Sequence, residues 1–201
     1  MLSPAALRRP APWTPALFLL LLVLLTGCGI NTIPTLEEEV NAGWAQVQNQ
    51  YQRRADLIPN LVETVKGYAQ QERDVLTAVT EARAKVAQMQ LPPDILTNEE
   101  AFRRFEQNQA QLTGALGRLL VVVEKYPELR SNQNFLALQS QLEGTENRIS
   151  VARRDYIQAV QRYNTEIRTF PGRFWAVVYG AEPKANFTAT EGAEQAPRVT
   201  F

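Results

Sequence analysis

The side-chain types that carry most protein chemistry are nearly missing from this chain. In 201 residues it has no histidine and a single cysteine, Cys28. Without an imidazole there is no histidine general base, no Ser-His-Asp or Cys-His arrangement and no His-containing zinc site. Carboxylate-bridged iron sites in helix bundles need Glu-x-x-His pairs and fall on the same ground. A lone cysteine also excludes an intrachain disulfide framework. General acid–base work by carboxylates alone stays formally open. The acidic residues do not suit it, because they stand at the starts of apolar-periodic stretches or beside basic residues. Glu99 and Glu100, for instance, precede Arg103 and Arg104 by four positions, the order that favours surface ion pairs. Basic and acidic residues balance at 21 each, so no overall positive field exists to hold nucleic acid. The expectation is a chain with no enzymatic activity, cofactor, metal, nucleic acid or small-molecule substrate.

The one reactive position is Cys28. It follows Arg8 and Arg9 and the short apolar run of residues 16–25. That run is about half the ~20 residues a helix needs to cross a bilayer. The tetrad Leu25-Thr26-Gly27-Cys28 resembles the bacterial lipobox, at which a signal peptidase cuts before the cysteine and acyl chains are attached to it. A small residue at Gly27 opens the backbone to the protease, and the thiol is the lipid acceptor. Residues 1–27 then form a lipoprotein signal peptide, and residues 28–34 a lipidated tether. Several acyl chains on one cysteine give stable attachment, at about 0.8 kcal/mol per buried methylene. Gly29, in place of Asp, favours the outer membrane if the host has two membranes.

Other residues are candidates for contact with a partner. Arg53, Arg54 and Asp56 flank Pro59 and form either a charged patch at a bend or a structural set. In the second and preferred reading, Arg54 lies on the apolar seam and pairs with a carboxylate. Arg153 and Arg154 lack acidic residues at helical spacing and are open to a partner. Tyr163, Asn164, Phe170 and Pro171 are either a recognition corner or seam aromatics before a helix stop. Gln109 interrupts an apolar seam, where a buried amide can fix register, with Thr145 as a possible second member of a polar layer. Gly114 and Gly117 weaken a helix and suggest close helix approach. Asn186-Phe187-Thr188 matches a glycosylation sequon, set aside because the lipobox points to bacteria.

The elements that must position these residues are helices. Apolar residues recur at three- and four-residue spacing over residues 36–90, 98–126 and 132–169, the period of a helical seam. At 1.5 Å per residue the stretches would be roughly 82, 43 and 58 Å long. The first exceeds its partners, so it folds over or stands off, and Pro59 is the expected kink or break. Thr35-Leu36-Glu37-Glu38 and Thr97-Asn98-Glu99-Glu100 read as capping boxes. The run Leu119 to Val123 is apolar on more than one face and calls for two neighbours. The predicted fold is all-α: an antiparallel bundle of three long helices, the first kinked or broken near Pro59, plus a short C-terminal helix, four-helix-bundle-like, over residues 35–180. Residues 181–201 lack any period and read as a flexible tail.

Several stretches together resemble the LemA family of bacterial envelope proteins. They are residues 49–69 (NQYQRRADLIPNLVETVKGYA), 126–135 (YPELRSNQNF), 145–149 (TENRI), 163–171 (YNTEIRTFP) and, in the tail, 191–194 and 196–199. Gln71 stands where family members often have His, and Ala181 follows Gly180 where an aromatic is usual. The resemblance implies a helical bundle tethered to a membrane at its N terminus, with no established activity, cofactor or catalytic residue. It also implies partners: relatives are associated with membrane organisation, and often neighbour envelope metalloproteases. The functional expectation is a non-catalytic, lipid-anchored scaffold or adaptor in the cell envelope, facing the periplasm or exterior. It would engage lipid through Cys28 and bind an envelope protein or itself. The alternative is an accessory subunit of an envelope metalloprotease.

Overall fold

A computed structural model describes residues 29–188, and Cys28, the leader and residues 189–201 lie outside them. The described residues form six helices: α1 (Thr32–Lys66), α2 (Arg73–Gln88), α3 (Glu99–Val123), α4 (Pro127–Arg130), α5 (Gln133–Glu166) and α6 (Gly172–Tyr179). They make an all-α bundle in which α1, α2, α3 and α5 are the long members.

Antiparallel packing of α1 on α5 is the backbone of the fold. Gly43 faces the Tyr156 main chain, where a Cβ would lie 3.3 Å from the Tyr156 Cα, so a larger residue would push the helices apart by a few tenths of an ångström. Eleven positions further along α1, Arg54 meets Glu146 on α5. The two contacts run in opposite chain directions, as antiparallel neighbours require. Helices α2 and α3 form the second antiparallel pair, joined by residues 89–98, and Asn108 of α3 reaches the Met89 sulfur at 3.3 Å.

The long first stretch does divide, but not at Pro59. Helix α1 continues through Pro59 and ends at Gly67, and residues 67–72 make the turn to α2. The physical reason is a donor from another helix. Proline at 59 has no N–H for the carbonyl four residues back, Ala55. The Arg83 Nε of α2 donates to that same carbonyl at 3.0 Å. The orphaned acceptor is satisfied from outside, and the proline faces solvent. The helix ends instead at Lys66, with Gly67 as its C-cap.

Helix starts are partly as expected. Asn98 caps α3, its side chain accepting from the Ala101 N–H at 3.0 Å. Asn132 caps α5, accepting from Asn134 and Phe135. Thr35, by contrast, lies inside α1, which begins at Thr32 with no side-chain cap. Residues 32–34 are therefore helix and not tether, and Ile33 is fully buried.

The core has two halves. One is aromatic and sits around the N-terminal half of α1: Trp44, Tyr51, Phe102, Phe105, Tyr156 and Phe187. Trp44 is 5.0 Å from Phe105 and 5.6 Å from Tyr156, ring centre to ring centre. The other half is aliphatic and surrounds the C-terminal half of α1, with Ile58, Leu61, Val79, Leu112, Leu119 and Leu142 among its buried members. In α3, Leu119, Val122 and Val123 are buried while Val121 is exposed. Gly114 and Gly117 do not mark a close approach; a Cβ on either would meet nothing within 4 Å.

Residues 181–188 are not a mobile tail. They run back over the bundle without regular secondary structure, with Ala185 and Phe187 buried. The reason is specific anchorage, since the Tyr156 hydroxyl donates to the Ala185 carbonyl at 2.8 Å. Ala185 N–H in turn donates to the Leu96 carbonyl at 2.6 Å.

Candidate functional site

Three places in the molecule gather the residues that sequence reasoning singled out. The first is a polar layer between the two halves of the core. Arg54 points inward from α1 and is 1% exposed. Its Nη1 donates to Thr113 Oγ1 at 2.9 Å and to Glu146 Oε1 at 3.0 Å. Its Nη2 donates to the Gln109 side-chain oxygen at 2.5 Å and to the Gln109 carbonyl at 3.3 Å. The guanidinium also lies 5.0 Å from the centre of the Tyr51 ring. One side chain of α1 thus ties α3 and α5 together. Thr145, fully buried on α5, satisfies its own hydroxyl by donating to the Gln141 carbonyl at 2.8 Å.

This geometry separates Arg53, Arg54 and Asp56. Arg53 and Asp56 face solvent, and Asp56 accepts from Gln52 at 2.8 Å. Arg54 turns the other way, so the three form no common charged patch. Successive helix positions differ by about 100° in direction, which is why a neighbouring pair of arginines divides between core and water.

The second place is the cradle for residues 184–188. Asn164 of α5 reads one residue with both ends of its amide. It donates to the Lys184 carbonyl at 2.9 Å and accepts from the Lys184 N–H at 2.8 Å. The Lys184 ammonium pairs with Glu37 and sits 5.3 Å from the Tyr163 ring centre. Burial, followed by the nearby Glu37 and Glu182 carboxylates, pushes the Tyr163 hydroxyl up to about 12. Farther along, the Arg153 guanidinium stacks 4.2 Å from the Phe187 ring centre and lies 3.8 Å from Glu106. Glu106 also accepts from the Thr188 N–H at 3.2 Å. Arg153 therefore does have an acidic partner, supplied by α3 and invisible from its own helix. Arg154 remains exposed beside Asp155 at 3.9 Å. Tyr163, Asn164 and Arg153 hold the chain's own C-terminal segment.

The third place is the end of the bundle where the chain enters. Phe170 and Pro171 lie here, both exposed, Phe170 at 89%. Gly172 follows and turns into α6 so tightly that a Cβ would fall 2.2 Å from the Glu166 carbonyl oxygen. A shallow cavity of about 220 Å³ opens nearby, lined by Glu37, Tyr163, Tyr179, Glu182 and Lys184 among others.

Arg83, Glu106, Glu146 and Phe187 carry much of this arrangement and were not singled out by sequence. Phe187 had one signal, an aromatic inside a segment otherwise poor in large apolar residues. The other three had none, because each acts across the bundle on a residue far away in the chain. Among the described residues no cluster of three or more metal-binding side chains occurs, and no helix is long and apolar enough to cross a membrane.

The fold and these contacts define an all-α, four-helix bundle closed by a strap from its own C-terminal segment. The chain belongs to the LemA family, whose sequence model matches residues 43–201. Similar proteins include magnetosome protein MamQ 2 of Paramagnetospirillum magneticum, 26% identical over 187 residues, covering 85% of this chain and 68% of that protein. Protein LemA of Metamycoplasma hominis is 21% identical over 174 residues, covering 82% of this chain and 75% of that protein. Magnetosome protein MamQ of Magnetospirillum gryphiswaldense is 24% identical over 166 residues, with 75% and 61% covered. Neither name denotes an enzyme, and membership of the family suggests a non-catalytic, envelope-associated helical protein.

Proposed function

We propose that this protein is a non-catalytic helical scaffold fastened to the bacterial envelope by acyl chains on Cys28, where it engages other envelope proteins or organises membrane. The observation that carries the reading is the Leu25-Thr26-Gly27-Cys28 tetrad, whose cysteine lies four residues before α1 begins at Thr32. The body faces the periplasm or exterior, on the outer membrane in a host with two membranes. Its interior supports the same reading, since the buried Arg54 guanidinium is engaged by Thr113, Gln109 and Glu146 of neighbouring helices. Surface side chains available to a partner are Arg53, Asp56, Arg154, Phe170 and Pro171.

Intact-mass measurement of the protein from its native host tests the anchor. The expected mass is that of the chain from Cys28 plus glyceryl-linked acyl groups, and Cys28→Ser should move the protein from the membrane to the soluble fraction. An unmodified sulfur with the leader still attached overturns the lipid reading. Crosslinking in intact membranes tests the scaffold role. A reproducible partner or self-assembly is expected; a solitary protein at native expression removes the adaptor reading.

A further inference from the structure

Helix α6 is apolar on both sides, and only one side is covered. Its inner face, Gly172 and Ala176 with half-buried Trp175, packs on the bundle. Its outer face carries Phe174, Val177 and Val178, at the i, i+3, i+4 spacing of a single stripe. Val177 is 81% exposed, and Phe170 and Tyr179 extend the apolar surface at either end of the helix. A helix that is hydrophobic all round is normally buried all round, so the outer stripe calls for a cover.

The location identifies the cover. The Trp175 indole lies so near the first described residue that a Cβ on Gly29 would fall 3.2 Å from its Nε1. The Tyr179 hydroxyl donates to the Ile30 carbonyl at 3.0 Å. Ile30 is itself exposed and continues the patch. Gly29 and Ile30 therefore meet the bundle at this patch, and the next residue upstream in the sequence is Cys28. Exposed Arg168 and Arg173 stand beside the apolar stripe, cations next to buried-type side chains, as in helices that lie in a bilayer interface. Trp and Tyr at the boundary suit the same zone.

We propose that the outer face of α6, with Phe170 and Ile30, lies in the lipid interface and sets the bundle upright on the membrane. The inference rests on the N-terminal membrane anchor proposed above. Acyl chains at a single residue do not by themselves fix the direction of the bundle. A second contact beside the anchor fixes its direction and places the α4 turn at the far end of α1 and α5, roughly 50 Å away by helix length.

The test uses the full acylated protein in vesicles of phosphatidylethanolamine and phosphatidylglycerol with brominated acyl chains. A polarity-sensitive fluorophore is attached at Val177→Cys, or at Val178→Cys should the first disturb folding, and at Glu128→Cys on the α4 turn as the distal site. The expected result is blue-shifted emission at 177 with quenching several-fold stronger than at 128, at a depth of about 5–10 Å. A water-like, unquenched label at 177 on protein that still floats with the vesicles overturns the inference and leaves the anchor standing. A label shielded from water but untouched by brominated lipid, on protein that runs as a dimer, gives the face to a second copy and also overturns it. Protein that fails to float, with a Cys28 thiol that still reacts with the fluorophore, overturns the anchor and this inference together.

Discussion

Removing Glu146 should cost more stability than removing the arginine it pairs with. Arg54 is almost wholly buried, while the Glu146 side chain is 40% exposed. In Glu146→Ala the guanidinium keeps Gln109 and Thr113 but loses its counter-charge where water replaces it only in part. Breaking a buried pair by deleting one partner costs about 3–5 kcal/mol, and partial solvent access at position 146 sets the expectation near 3 kcal/mol. In Arg54→Met the buried charge itself is gone, the stem volume is roughly kept, and Glu146 turns to water. The Thr113 hydroxyl already bonds the Gln109 carbonyl at 3.0 Å, so the main residual penalty is one unsatisfied amide oxygen, about 1–2 kcal/mol. The double variant should then cost about as much as Arg54→Met alone. Urea unfolding of the four proteins, with equal slopes, measures all three quantities. If Glu146→Ala costs less than about 1 kcal/mol, as exposed ion pairs do, or the two changes simply add, the reasoning about an enclosed charge is wrong.

Three further outcomes follow from the same contacts. Arg83→Ala should destabilise by about 1–2 kcal/mol in the native sequence and by much less in a Pro59→Ala background, where residue 59 supplies the missing donor; equal losses in both would show that Arg83 does not serve the Ala55 carbonyl. Phe187→Ala removes a ring packed against Trp44, Phe102 and Tyr156 and should cost about 3 kcal/mol while exposing residues 185–188 to limited proteolysis, and an unchanged cleavage pattern would argue that the strap is not held there. Burial raises the hydroxyls of Tyr51, Tyr156 and Tyr163, Tyr163 to about 12. Because the unfolded tyrosines ionise first, near pH 10, stability from these groups is complete below that value and falls as pH climbs from about 10 toward 12. Thermal midpoints should therefore be flat from pH 8 to 9.5 and drop above 10, and a midpoint insensitive to pH up to 12 would contradict the buried assignment.

How much was legible in the sequence depended on the range of the cause. Helical periodicity is a property of neighbours three and four positions apart, so the seams, the all-α class and the Asn98 cap region were readable, while the last long helix ends at Glu166, ahead of the stop expected at Pro171. The position of the break in the first stretch was not readable, because the cost of a proline inside a helix depends partly on whether the carbonyl it orphans finds another donor. That outcome rested on Arg83, 28 positions away. The same limit hid the strap. Residues 181–188 have no period and look unstructured by composition, yet a slot among Trp44, Phe102 and Tyr156 accepts Phe187.

Composition and spacing alone therefore determined that this chain would be a helical bundle without histidine chemistry and with a single cysteine. Tertiary structure decided which polar residues turned inward, which partners met them, and that the C-terminal segment would close the bundle. It also decided that an apolar stripe would remain uncovered beside the point where the chain enters. Periodicity assigns a residue to a face of its own helix, but only packing determines what that face meets.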